Sequence, residues 1–220
     1  YWRVRALNVN AEPGAWSLTR TITIDTTAPL PPVLSLPANG ASVRGTPTFS
    51  WLAAATANAY QFAYDNDVNC PSPIYTSAAT LPTLTHLPPA MALGTYYWCV
   101  QARDPIGNWS GWSTSRTVTI LPLIPVAPLL TSPANGIVTT DTTPDFAWNS
   151  VPDGNTYEIQ IDNLSTFAAP IEQTMGALGL TYTATPLTDG LKYWRVRALN
   201  VNAEPGAWSL TRSFTVGTIP

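Results

Sequence analysis

The side chains best suited to chemistry are few in this chain. It contains one histidine, His86, and two cysteines, Cys70 and Cys99. A structural zinc site takes four ligands, usually cysteine or histidine, and a Ser-His-Asp triad needs a histidine oriented by a carboxylate. A single histidine without such partners favours a structural or surface role. We therefore predict no catalytic residue, no bound metal and no cofactor.

One acidic segment has part of the spacing of a calcium loop. Asp65, Asp67 and Asn69 place oxygen-bearing side chains at alternate positions, and alternate side chains of a loop can converge on one hard cation. The glycine expected at the sixth position and the glutamate expected at the twelfth are replaced by Cys70 and Thr76. A polar turn is therefore the favoured interpretation, and calcium binding is the alternative.

Two segments match the acceptor motif for N-linked glycans, Asn108-Trp109-Ser110 and Asn163-Leu164-Ser165. They make Asn108 and Asn163 candidate modification sites in a host that has the glycosylation machinery. Serine and threonine are also abundant, and composition leaves O-linked glycans open.

These residues lie on a chain that repeats itself. Residues 1–20 recur letter for letter as residues 193–212, and a diverged copy begins at Tyr97, at half that offset. A fixed period of this size is typical of an array of small domains. The predicted domains are a partial domain over 1–28 and whole domains over 29–124 and 125–220. The chain is expected to begin within a repeat.

Composition narrows the classes of partner. The net charge is -3, charged residues make up 10% of the chain, and the basic residues form no stripe. Nucleic-acid binding is therefore not expected. No apolar run approaches the length needed to span a membrane. The proline-rich segments 28–32 and 122–126 predict stiff linkers, because proline fixes φ.

Alternating residues predict about seven short strands in each whole unit and no helix. The strongest predicted strands are 96–103 and 192–199. In the second of these, Tyr193, Arg195 and Arg197 alternate with three apolar residues, which places one apolar and one polar face on the strand. The pattern predicts an all-β chain of antiparallel β-sandwiches.

Several motifs recur at equivalent positions of the two whole units. A tryptophan closes the second strand, a tyrosine opens the third, and Trp-Ser precedes the last; the residues are Trp51, Trp148, Tyr60, Tyr157, Trp112-Ser113 and Trp208-Ser209. With these motifs the units resemble fibronectin type III or closely related bacterial Ig-like domains. The resemblance covers nearly all of 29–220, and 1–28 as the last two strands of another domain. It implies tandem β-sandwiches led by a partial domain.

The resemblance also implies roles for particular residues. Tyr97 and Tyr193 would form the tyrosine corner, whose hydroxyl bonds back to the chain. The third and sixth strands are neighbours in this fold, so we hypothesise a disulfide between Cys70 and Cys99, with two separate thiols as the alternative.

The same fold pairs the sixth and seventh strands as a hairpin. Arg195 and Arg197 are then expected to stack on Trp208, as a structural ladder rather than a binding site. Sugar binding by exposed tryptophans is the rival interpretation.

The sequence therefore predicts a structural protein without enzyme activity. A glycosidase needs a cleft with two facing carboxyl groups, and acids scattered over small repeated sandwiches do not build one. We predict a repeat region of an extracellular or cell-surface stalk, filament or adhesin, associating with itself or with neighbouring repeats. The alternative is a set of accessory, carbohydrate-binding spacer modules of a polysaccharide-degrading enzyme.

Overall fold

The structure, a computed structural model, describes residues 1–78, 80–168 and 173–217. The chain forms two compact units, one built largely from residues before Ile120 and one largely from Ile120 onward. Each contains a β-sandwich with one three-stranded and one five-stranded sheet. The predicted all-β class is confirmed. The boundaries at 28/29 and 124/125 stay predictions.

The first sandwich has eight strands rather than the seven predicted, because its first strand divides into two pieces. The three-stranded sheet has the order β1-β3-β6, and the five-stranded sheet has the order β2-β8-β7-β4-β5. The strands are β1 (Leu34–Leu36), β2 (Ala41–Arg44), β3 (Phe49–Trp51), β4 (Ala59–Asp65), β5 (Tyr75–Thr76), β6 (Thr85–His86), β7 (Gly94–Arg103) and β8 (Arg116–Leu121).

The second sandwich repeats this order. Its sheets are β14-β11-β9 and β10-β16-β15-β12-β13. The strands are β9 (Leu130–Ser132), β10 (Ile137–Thr139), β11 (Asp145–Trp148), β12 (Thr156–Asp162), β13 (Gln173–Ala177), β14 (Thr181–Thr183), β15 (Gly190–Leu199) and β16 (Arg212–Val216). The sequence pattern also predicts a short strand over 171–174, which lies partly outside the described residues.

The pairing of β10 with β16 departs from the predicted antiparallel arrangement. Strand β10 runs parallel to β16, with Ile137 opposite Phe214 and Thr139 opposite Val216. The reason is that the first strand of the sandwich leaves the small sheet after β9 and joins the edge of the large sheet as β10. This crossing lets one short segment contribute backbone hydrogen bonds to both sheets.

A Pro-Ala-Asn-Gly turn makes that crossing. The peptide bond before Pro133 is cis, and Gly136 has a φ of 77°, which glycine adopts without steric cost. Asn135 Oδ1 accepts a hydrogen bond from Ser213 N at 2.8 Å, and Gly136 N donates to Ser213 O at 2.7 Å. These bonds fix the turn to β16. The first sandwich makes the same bonds through Asn39, Gly40 and Thr117.

The core of the second sandwich centres on Trp194. Its side chain has 0% exposure, and its ring meets Phe146 edge-on at a centroid distance of 4.9 Å. Trp194, Val196 and Ala198 share the inward face of β15, because alternate residues of a strand point to one side. The remaining buried residues of this core are Leu130, Trp148, Tyr157, Ile159, Ile161, Ala184, Leu187, Phe214 and Val216.

Trp98 has the same place in the first sandwich. It is fully buried, as are Val100 and Ala102 on the same face of β7. Its ring lies 5.0 Å from that of Phe49, in an edge-on arrangement that aromatic rings prefer. The alternation predicted for 96–103 and 192–199 is therefore confirmed in both sandwiches.

Residues 1–24, which we call the leading hairpin, have the local geometry of residues 193–216. Trp2 and Arg20 exchange backbone hydrogen bonds of 2.8 and 2.9 Å, and Ser17 N donates to Val4 O at 2.8 Å. Only isolated bridges form in this segment, at Trp2–Arg20 and Leu7–Pro13, rather than the two full strands predicted. Its apolar side chains are exposed; Trp2, for example, is 50% accessible.

The leading hairpin offers a matched control for the core. Trp194→Ala should destabilise the second sandwich by about 3–5 kcal/mol, because truncating a buried tryptophan leaves a cavity. Trp2→Ala, in an identical local sequence, should leave the free energy of unfolding within about 0.5 kcal/mol of the parent. Urea denaturation followed by amide hydrogen exchange measures both, and equal costs would contradict this view of the core.

Candidate functional site

The outward face of β15 carries a stack of alternating cationic and aromatic side chains. The guanidinium carbon of Arg195 lies 4.1 Å from the ring centre of Phe167 on one side and 4.4 Å from that of Trp208 on the other. The same tryptophan also lies under Arg197, at 4.5 Å. Burial, and then the neighbouring Arg197, lower the pKa of Arg195. We call these four residues the ladder.

Hydrogen bonds from β12 hold the two arginines of the ladder in place. Arg195 Nε and Nη2 donate to Gln160 Oε1 at 2.9 and 2.7 Å. Arg197 Nε and Nη2 donate to Glu158 Oε2 at 2.9 and 2.7 Å. The pairs follow from the register, in which Glu158 faces Arg197 and Gln160 faces Arg195. The predicted contact of Arg195 and Arg197 with Trp208 is confirmed.

The serine of each Trp-Ser motif forms hydrogen bonds with the backbone of the neighbouring strand, which explains the motif. Ser209 N donates to Val196 O at 2.8 Å, and Ser209 Oγ accepts a bond from Val196 N at 3.0 Å. Ser113 bonds Val100 in the same way, and Ser17 bonds Val4. In the two sandwiches a buried strand N–H is thereby satisfied where no regular strand continues.

A disulfide takes the place of the ladder in the first sandwich. Cys70 and Cys99 are bonded, with their Cα atoms 6.6 Å apart, so the hypothesised pairing is present. Both sulfur-bearing side chains are buried, at 2% and 0% exposure. Cys99 stands where Arg195 stands in the second sandwich, and Cys70 stands where Phe167 stands. The two sandwiches therefore tie the same loop to the same strand by different chemistry.

The loop after β4 does not gather calcium ligands. Asp65 Oδ1 accepts a bond from Asn66 N at 2.8 Å, and Asp65 Oδ2 accepts one from Ser72 N at 3.1 Å. Asn69 contacts Ser115 rather than the two aspartates. Within the described residues, no three His, Cys, Asp or Glu side chains lie together as metal ligands. These contacts are those of a polar turn, and calcium binding stays an untested alternative.

An asparagine and an acidic residue cap the turn after β7 and the turn after β15. The two residue types exchange places between the sandwiches. Asn200 Nδ2 donates to Glu204 Oε2 at 2.8 Å in the second sandwich, and Asn108 Nδ2 donates to Asp104 Oδ2 at 2.9 Å in the first. Burial alone would raise the pKa of Asp104, but hydrogen bonds from Asn108, Gly107 and Ile106 hold it below its usual value.

The two glycan acceptor motifs differ in their geometry. Asn108 Nδ2 donates both to Asp104 and to the carbonyl oxygen of Asp25, at 3.0 Å, so this nitrogen has a structural role. Asn163 lies exposed directly after β12. Glycosylation at either residue stays a prediction, and the exposed Asn163 is the more accessible acceptor.

The predicted tyrosine corner is wrong in its register. Tyr97 and Tyr193 lie half-exposed on the outward face, and their hydroxyl groups make no hydrogen bond within the described residues. The inward position is the preceding one, at residue 192, because Trp194 sets the alternation. There the buried Lys192 Nζ donates to Thr188 Oγ1 at 2.7 Å, which bonds the strand back to the preceding chain.

Side-chain hydrogen bonds also join the two sheets at one edge of each sandwich. Tyr75 on β5 bonds His86 Nε2 on β6 at 3.0 Å, which gives the lone histidine a structural partner. In the second sandwich Tyr182 Oη donates to Gln173 Oε1 at 3.1 Å. Burial lowers the pKa of His86.

Sequence reasoning missed the residues that complete these contacts. Phe167 and Gln160 were not singled out, although the exchange of Cys70 for Phe167 and of Cys99 for Arg195 between the repeats was a signal that the two positions touch. The edge pairs carried no signal, because their tyrosines, Tyr75 and Tyr182, lie on strands that are not equivalent. The spacing also differs, with 11 residues from Tyr75 to His86 and 9 from Gln173 to Tyr182.

Comparison with solved structures identifies the fold. A two-domain fibronectin type III segment of chicken tenascin matches 86% of this chain and 100% of its own, at 11% identity and a TM-score of 0.50. Chicken CNTN1 domains FN1–FN3 match 98% of this chain and 77% of theirs, at 16% identity and a TM-score of 0.39. Fibronectin(III)-like modules of Clostridium thermocellum CbhA match 84% and 93%, at 14% identity and 0.35.

The tenascin match shows that this chain has the fold of tandem fibronectin type III-like β-sandwiches. No protein-family model and no curated protein matches the sequence. Within the residues that the structure describes, no helix has the length and apolar character to cross a membrane.

The ladder should contribute measurably to stability. Arg195→Ala is expected to destabilise the second sandwich by about 1–3 kcal/mol, because it removes two ring contacts and the bonds to Gln160. Arg3→Ala is the matched control: Arg3 stacks on Trp16 alone, at 4.4 Å, and its loss should change stability by less than about 0.5 kcal/mol. Urea denaturation of both variants checks this, and an unchanged Arg195→Ala midpoint would contradict it.

Of the two side-chain pairs that join the sheets, Tyr75–His86 and Gln173–Tyr182, only the first titrates near neutral pH. Acid is therefore expected to destabilise the first sandwich only. Because burial lowers the pKa of folded His86, the unfolded chain binds a proton at higher pH, so stability falls as pH drops below about 6.5. Amide exchange at pH 7.5 and pH 5.5 should show weaker protection in the first sandwich, while the second, with Gln173 and Tyr182, should not respond. His86→Gln should remove the difference, and an equal response of both sandwiches would contradict the assignment.

Proposed function

We propose that this chain is a non-catalytic structural repeat region of an extracellular stalk, filament or adhesin. The observation that carries the proposal is that the side chains on the outward face of the second sandwich bind one another. In the second sandwich the ladder stacks its rings and guanidinium groups on one another and on Glu158 and Gln160. Side chains that satisfy each other in this way stiffen a sheet and leave little unpaired chemistry for a substrate.

Two further features support an extracellular structural role. The Cys70–Cys99 disulfide is typical of proteins that fold in an oxidising compartment. The letter-perfect recurrence of residues 1–20 at 193–212 is the pattern of an array that lengthens by duplication, in which each repeat supplies its own core. Self-association or packing against neighbouring repeats follows naturally from such an array.

A second candidate function rests on the first sandwich, where the ladder is incomplete. Trp112 stands where Trp208 stands, but Cys99 and Gln101 replace the two arginines that cover the ring. Trp109 lies nearby in sequence, with Arg103 at a longer 5.8 Å from its ring centre. Among the described residues no guanidinium stacks on Trp112, and a free indole face is suited to stacking on a sugar ring. This arrangement favours carbohydrate-binding spacer modules of a polysaccharide-degrading enzyme as the alternative.

Two measurements separate the candidates. Electron microscopy of the native protein should reveal shafts or filaments with a regular repeat matching one or two sandwiches. On a glycan array, the structural function predicts no binding above background. Binding that is lost on Trp112→Ala and kept on Trp208→Ala would overturn it in favour of the carbohydrate module.

A further inference from the structure

Three tyrosines and the single histidine of the chain lie together at one end of the first sandwich. The ring of Tyr64 on β4 lies 5.4 Å from that of Tyr75 on β5, at an interplanar angle of 22°. The ring of Tyr96 on β7 meets Tyr64 edge-on at 5.3 Å. The hydroxyl of Tyr75 bonds His86 Nε2 at 3.0 Å. Because phenol rings can be oxidised by one electron, this cluster is a candidate for oxidative chemistry.

The second sandwich has other residue types at the positions of these tyrosines. Its register places Ile161 and Gln173 opposite each other, at the positions of the stacked pair, and Lys192 has the position of Tyr96. The same strand order is therefore built without phenol rings at these three positions. Since the fold does not require them, the tyrosines of the first sandwich are free to have a chemical role.

Tyr64 and Tyr75 are placed for a bond between their rings. They lie directly opposite each other on paired strands, where side chains of one face are in contact. Near-parallel rings held in contact react with each other in preference to rings of separate chains, because no encounter is needed. Burial, and then the neighbouring Tyr96 and Tyr75, raise the pKa of Tyr64, so its phenol keeps its proton at neutral pH.

His86 provides an acceptor for the phenol proton of Tyr75. A phenol that loses one electron becomes a strong acid, so a base within hydrogen-bond reach speeds the oxidation by taking the proton. Burial lowers the pKa of His86, which keeps the imidazole neutral. With its proton on Nδ1, Nε2 is the acceptor at 3.0 Å from Tyr75 Oη. Among the described residues, the hydroxyl of Tyr96 has no such acceptor.

We propose that Tyr64 and Tyr75 form a modification site, at which hydrogen peroxide and a haem peroxidase join the two rings as a dityrosine. Tyr75 loses one electron to the peroxidase and its proton to His86 Nε2. The Tyr75 radical then forms a carbon–carbon bond with the ring of Tyr64, and the adduct loses a second electron and a second proton. After both hydroxyl groups re-form, each ring has lost one hydrogen from carbon, and one peroxide has become two water molecules.

The cross-link attaches a short edge strand covalently. Strand β5 has two residues, whereas its counterpart β13 has five, so fewer backbone hydrogen bonds hold β5 to its neighbour. A bond between Tyr64 and Tyr75 makes this attachment permanent in the sandwich that already contains a disulfide. The proposal goes beyond the structural function, and the coupling is testable whether or not the chain forms filaments or binds carbohydrate.

The test treats the intact 1–220 chain with hydrogen peroxide and a haem peroxidase. Mass spectrometry should find a monomer that has lost two hydrogen atoms, with the blue fluorescence of dityrosine, and peptide mapping should find Tyr64 joined to Tyr75. Tyr75→Phe should abolish this product. Tyr96→Phe is the matched control, since it removes the other phenol beside Tyr64, and its yield should equal that of the parent. Amide exchange before oxidation checks that both variants are folded.

A further variant tests the role of His86 as a positioning residue. His86→Gln keeps a side chain that can hydrogen-bond Tyr75 but removes the base, so dityrosine formation should slow by at least about tenfold. The tyrosyl radical signal in electron paramagnetic resonance should fall with it, while the amide protection of β5 and β6 at pH 7.5 stays that of the parent. An unchanged rate of coupling contradicts this role.

A second oxidant guards against a peroxidase that is too large to reach the half-buried Tyr75. A photo-excited ruthenium complex with persulfate also removes single electrons and is small. A link between Tyr64 and Tyr75 with either oxidant supports the proposal. Three results overturn it: no loss of hydrogen from the folded monomer with both oxidants, a link to Tyr96 instead of Tyr75, or products that only join separate chains through exposed tyrosines such as Tyr1.

Discussion

The structure depends on the burial of one tryptophan at the centre of the longest strand in each sandwich. Trp98 and Trp194 have no exposed surface, and each meets a phenylalanine from the opposite sheet edge-on. Because side chains alternate along a strand, burying this residue determines which neighbours point outward. For that reason the arginines, Cys99, Tyr97 and Tyr193 are on the outward face.

The outward face then solves one structural problem in two ways. In each sandwich the loop that follows the neighbouring strand, β4 or β12, has to be held against the five-stranded sheet. The first sandwich uses a covalent bond between Cys70 and Cys99, and the second places the ring of Phe167 on the guanidinium of Arg195. A disulfide and a cation–π stack have different chemistry, but both attach the loop to the sheet. Their occurrence at equivalent positions is consistent with a mechanical role for the contact.

Much of the fold could be predicted from the sequence. The repeat, the alternation over 192–199 and the recurring Trp-Ser motif were enough to predict tandem sandwiches, because these signals arise from local strand geometry. The disulfide could be hypothesised only through the neighbouring strands of the resembling fold. The contact of Phe167 with Arg195 was not predicted, because a loop has no period that fixes its path. The tyrosine corner was predicted at Tyr97 and Tyr193, which the structure places on the outward face, because a one-residue shift in alternation moves a side chain to the opposite face.

The most direct test of a structural repeat with self-sufficient cores is to stretch single molecules of the 1–220 chain. The account predicts two separate unfolding events, one for each sandwich. The Cys70–Cys99 bond has a sequence separation of 29 residues, which withholds about 100 Å of chain at about 3.5 Å per residue. Reductant should therefore lengthen one event by that amount and leave the other unchanged. A single cooperative event, or two events that both ignore the reductant, would contradict the account.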